Sequence, residues 1–130
     1  MNSSDVTAGT NATAIQYNNL RKDLRNAVKD PQTASDGATV TFDLSLGAIQ
    51  KVTLGGNRTL AVSNPVTGQI FMVILLQDGT GGRTVIWWAD IKWADAVAPV
   101  LTTTANRTDI FAIFYDGTNY YGTTVGQNYG

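Results

Sequence analysis

The chain has 130 residues, a formal charge of −1 from nine basic and ten acidic side chains, and 43% hydrophobic residues. Such a length and balance fit one globular domain and leave no electrostatic footprint for nucleic acid or an anionic membrane. There is no Cys and no His, which excludes disulfides, thiolate catalysis and Cys-based zinc sites, and removes the commonest general base.

All ten acids are Asp, a bias that argues against an all-α protein, because helix surfaces favour Glu. Residues 1–12 are small and polar and are expected to form an extended arm. They carry no basic stretch leading into an apolar one, so a secretory signal is not expected. Thr13 and Gln16 make a capping box. Tyr17, Leu20, Leu24 and Ala27 follow at spacings of three and four. This predicts an amphipathic α-helix over 13–30, ended by Asp30-Pro31 and serving as anchor or oligomerisation segment. Its stripe could pack on the rest of the chain or against copies of itself; two heptads are too few to establish a coiled coil.

Residues 31–37 read as a polar hinge, and 38–130 as a β domain. Val40, Phe42 and Leu44 alternate with Thr39, Thr41 and Asp43, the period of a half-buried strand. Further strands are expected over 49–54, 59–62, 69–77, 83–88, 109–115 and 119–125. Asp36-Gly37, Asp78-Gly79 and Asp116-Gly117 are expected to close tight hairpins, since Asp and Gly tolerate left-handed backbone. About eight short strands with regular turns predict an antiparallel β-sandwich or jelly-roll-like domain with one N-terminal α-helix. Residues 70–76 have no polar break, so that strand is expected to be covered on both faces, by a second sheet or a neighbouring subunit. The expected oligomer is a trimer, with Tyr17, Leu20, Leu24, Phe71, Val73 and Leu75 as candidates for its core. Asn57-Arg58-Thr59 and Asn106-Arg107-Thr108 each precede a strand, and Arg in these turns is expected to bond a carbonyl or an Asp.

No catalytic constellation is visible. The Asp residues sit mostly in turns, so glycoside cleavage by paired carboxylates is disfavoured, and no enzyme is expected. Asp90 and Asp95 flank Lys92 and Trp93, but no dense Asp-x-Asp loop exists, and a solvated turn is preferred to a calcium site. No cofactor or metal is expected. Trp87 and Trp88, as neighbours in one strand, are expected to face opposite ways, one into the core and one outward. With Trp93, Tyr115, Tyr120 and Tyr121 they are the candidate aromatics for an interface between copies or for stacking on a glycan.

Several motifs then carry a resemblance. Residues 36–44 (DGATVTFDL), 55–60 (GGNRTL) and 77–85 (QDGTGGRTV) resemble a domain that recurs in surface proteins of tailed bacteriophages and prophages. So do Ile91-Lys92-Trp93, residues 101–109 (LTTTANRTD), Tyr120-Tyr121-Gly122 and residues 125–128 (VGQN). That domain is similar to the end of many tail-fibre proteins. The resemblance implies a homotrimeric component of the virion surface, made in the bacterial host cytoplasm, with no enzymatic residues. A chain this short suits a capsid decoration protein or a short tail appendage better than a long fibre. Its expected partners are itself, other capsid or tail proteins and, on the alternative reading, a host surface glycan; no nucleic acid and no membrane is expected.

Overall fold

A computed structural model describes residues 31–130. The expected arm (1–12) and helix (13–30), with Tyr17, Leu20 and Leu24, lie outside the described residues. Within them half the chain is strand, as the mainly β expectation requires. No α-helix is seen among them, and the one helical element described is a 3₁₀ turn, Ala94–Ala96.

Among the described residues nine strands form two sheets: β1 (Gln32–Thr33), β2 (Thr39–Asp43), β3 (Ile49–Leu54), β4 (Arg58–Ser63), β5 (Ile70–Gln77), β6 (Val85–Ile86), β7 (Ile91–Trp93), β8 (Thr108–Tyr115) and β9 (Tyr120–Tyr129). The larger sheet has the order β1-β3-β5-β8-β9-β7, the smaller β2-β4-β6. From β1 to β6 the chain alternates between them, strand by strand. Each pass stacks parallel on the one before: Gln32 pairs with Gln50, Thr39 with Thr59, Ile49 with Met72 and Arg58 with Val85. The result is a short two-sided coil stack whose coils lengthen as it grows.

This overturns the antiparallel sandwich. Five of the seven strand pairings are parallel, and only β5–β8 and β8–β9 are antiparallel. The physical reason is that alternation in a strand fixes which side chains face inward and says nothing of which strand lies beside it. Turns read as hairpins therefore serve another purpose. Asp36-Gly37 lies between β1 and β2, which belong to different sheets. Asp116-Gly117 does close a hairpin, β8 to β9, with the Asp116 N–H donating to the Asn119 carbonyl.

The core fills the gap between the sheets. Val40 and Phe42 of β2 and Leu60 of β4 meet Val52 and Leu54 of β3, Phe71, Val73 and Leu75 of β5, and Phe111 and Ile113 of β8. All are buried, because each strand presents its alternate residues inward. Two glutamines share this interior. Gln50 donates from Nε2 to the Asp43 and Gly47 carbonyls, both at 2.9 Å. Gln77 donates to the carbonyls of Arg83 and Thr102 at 2.8 Å and accepts from the Arg83 N–H at 2.9 Å. Both amides thus satisfy backbone groups of loops that parallel stacking leaves without ladder partners.

Candidate functional site

The coil corners carry two Asp–Arg pairs. Asp36 receives Arg58 through two bonds, Nε to Oδ1 at 2.7 Å and Nη2 to Oδ2 at 2.9 Å, and accepts the Gly55 N–H at 3.1 Å. Asp78 receives Arg83 the same way, at 3.2 and 2.9 Å, and accepts the N–H groups of Thr80 and Gly81. Arg58, one of the two arginines expected to bond an Asp or a carbonyl, thus reaches an Asp of the coil before it. These bonds hold the Asp36 carboxyl below its ordinary range, chiefly through Arg58, and the Asp78 carboxyl down to about 2, chiefly through Arg83.

Other carboxylates are equally occupied. Asp43 accepts from Asn64 and from the Ser45 N–H and hydroxyl, and Asp116 from the N–H groups of Asn119 and Thr118. Both carboxyls are lowered, by Asn64 and by the Asn119 N–H respectively in first place. Asp109, 2% exposed, accepts from the Thr102 N–H, the Gln127 amide and the Asn128 N–H, which binds the end of β9 to β8 and to the preceding loop. Asp90 and Asp95 are exposed and flank β7, Asp95 in left-handed backbone with φ 58°.

The aromatic candidates gather at one end of the core. Trp87 lies 4.9 Å from Trp93 and 5.0 Å from Phe111, both edge to face. Trp88 meets Tyr120 at 5.5 Å and Phe71 at 6.2 Å. Tyr115 stacks on Tyr120 at 4.4 Å. Tyr120 is buried, which pushes its phenol up. The expected opposition of Trp87 and Trp88 does not hold. β6 ends at Ile86, so strand alternation does not reach them, and both turn toward the core with ring centroids 5.6 Å apart. The Nε1–H groups of Trp87, Trp88 and Trp93 are buried without an acceptor; around them lie the aromatic rings just described.

Tyr121 is the exception, 46% exposed on the outer face of the larger sheet. Its register partner Phe114, which sequence reasoning did not single out, is 40% exposed and stacks on it at 6.4 Å. The alternation within β8 was the signal available for Phe114, since it falls on the face opposite Phe111 and Ile113. Phe71, Val73 and Leu75, candidates for an oligomer core, lie inside the single chain's own core.

The outer face of this sheet is the other surface of note. Ile49, Lys51 and Thr53 of β3 lie beside Met72, Ile74 and Leu76 of β5. These lie in turn beside Ala112, Ile110 and Thr108 of β8. Ile70, Phe114 and Tyr121 continue the pattern at one end.

The arrangement is that of a β-rich structural module: stacked coils, charge spent on corners, aromatics spent on the core. Residues 41–120 match the family described as "Putative phage tail fibre C-terminal domain". That is more than half of the chain, and the chain belongs to this family. It is accordingly a structural component of a phage virion, in the role of a tail appendage. No curated protein and no solved structure matches it.

Proposed function

We propose that the chain is a non-catalytic, trimeric building block of a short tail appendage, exposed on the virion and rigid enough to transmit contact with the host. The observation that carries this reading is the corner pairing of Asp36 with Arg58, which ties one turn of the coil stack to the next, with Asp78–Arg83 bracing the loop between β5 and β6. Every described carboxylate except Asp90 and Asp95 is bound to a turn, a strand end or an arginine. That distribution favours stiffness over chemistry. Gold labelling of a tagged chain in purified virions tests it: label at the tail supports the appendage, and label over the capsid shell supports a decoration protein instead.

Recognition of a host surface glycan is the second reading. It rests on Tyr121 with Phe114, because the other five candidate aromatics pack against the core. Loss of glycan-array binding in Tyr121→Ala with an unchanged circular dichroism spectrum would support it.

A further inference from the structure

The larger sheet has two apolar faces, and among the described residues only the inner one is covered by the smaller sheet. The outer rows Ile49-Met72-Ala112, Ile74-Ile110 and Ile70-Phe114-Tyr121 run side by side across β3, β5, β8 and β9. A strand apolar on both faces belongs between two layers. β5 supplies Ile70, Met72, Ile74 and Leu76 to this outer face, and Phe71, Val73 and Leu75 to the core.

We propose that further copies of this chain cover this outer face, so that in the trimer the three larger sheets turn their outer faces toward one common axis. Two observations choose the occupant. The first is area. Four strands at the usual spacing, with β5 at the usual rise, give a face of about 19 by 27 Å, about 500 Å². A face of that size, apolar but for Lys51, Thr53 and Thr108 on β3 and β8, matches the largest apolar patch of an ordinary monomer, a patch that is often functional. Three such faces turned to one axis remove about 1,500 Å² in all, above the scale of about 1,000 Å² at which a specific interface begins. The second is charge. Of the outward residues on β3, β5 and β8, Lys51 alone is charged, and no carboxylate accompanies it. A strongly charged partner finds no counter-charge there, whereas a copy brings the same apolar rows and no run of opposing charge.

This inference rests on the self-assembly part of the proposed function and names its surface. The test uses the full chain. Light scattering coupled to gel filtration gives the mass of the wild type, of Ile74→Lys and of Ile110→Lys, with circular dichroism to confirm folding. In a separate variant, Ala112→Cys supplies the only thiol in the chain, at the centre of the face. The expected result is an assembled wild type, a fall to single-chain mass in both lysine variants with an unchanged spectrum, and slow maleimide labelling of Cys at 112 that becomes fast in denaturant. If the wild type is assembled and folded lysine variants keep its mass, the face is wrong although self-assembly stands. If either lysine variant unfolds, the thiol decides: fast labelling in an assembled wild-type background overturns the face, slow labelling supports it. A wild type of single-chain mass overturns face and trimer together. Slow labelling in that case assigns the cover to another part of the same chain.

Discussion

Trp93 of β7 lies directly over Gly122 of β9, its register partner: a Cβ built on Gly122 would stand 2.5 Å from the indole ring. The missing side chain is what lets the indole settle against Trp87 and Phe111. Gly122→Val is expected to push Trp93 out of this cluster and to cost about 1–3 kcal/mol, the usual penalty for overpacking. Urea unfolding and a red shift of tryptophan emission check both effects, and unchanged emission would mean that the ring had not moved.

Trp87 distinguishes volume from polarity. Its ring touches Trp88, Trp93 and Phe111, while its N–H has no acceptor. Trp87→Ala is expected to cost about 3–5 kcal/mol through the cavity it leaves. Trp87→Phe keeps an aromatic ring and removes an unsatisfied donor, so its cost is expected to be about 1 kcal/mol. Equal losses in thermal or urea unfolding would contradict this account.

Gln77 is nearly isosteric with Met, which makes a clean test of buried hydrogen bonding. Gln77→Met leaves the Arg83 N–H and the carbonyls of Arg83 and Thr102 without their present partner. A loss of about 2–4 kcal/mol is expected, because unsatisfied buried groups forfeit their solvation. Faster amide exchange at Arg83 in the variant would locate the effect.

Acid should weaken the coil stack. In the unfolded chain Asp78 titrates near 3.8, and in the fold Arg83 holds it at about 2. Between those values protons bind the unfolded chain more than the folded one, so stability falls as pH falls through that window. Asp36, Asp43 and Asp116 are lowered too and act in the same sense. The midpoint of thermal unfolding is expected to be level above about pH 5 and to drop steadily toward pH 2. In Asp78→Asn the drop should be shallower and start from a lower plateau. An identical slope in both proteins would remove Asp78 from the explanation.

Much of the strand layout was legible in the sequence, because period-two alternation reports burial directly. β3 was expected over 49–54, which are its observed bounds, and β2, β4, β5, β8 and β9 begin within about a residue of expectation. β6 was expected over 83–88 and is two residues long, since Trp87 and Trp88 are drawn into the core instead of a ladder. Pairing was not legible. An Asp-Gly turn looks the same whether it returns a strand beside its predecessor, as Asp116-Gly117 does, or carries it across to another sheet, as Asp36-Gly37 does. What separates them is Arg58, 22 residues downstream of Asp36 and invisible as its partner without the coil geometry. The outer face was half legible: the unbroken run 70–76 announced a second apolar face, but only the register of β3 and β8 showed which side chains extend it.

The order of strands in the larger sheet has a consequence for synthesis. β9 is made after every other described strand, yet it lies between β8 and β7. While the ribosome extends the chain, β1 to β6 can stack one coil on another, but β7 has no ladder to join until β9 emerges. A prematurely terminated product lacks the strand that joins β7 to the sheet and the Gln127 and Asn128 donors that bind Asp109. The fold therefore withholds the closure of its larger sheet until β9 has been made, and only chains that contain β9 reach assembly with a finished sheet.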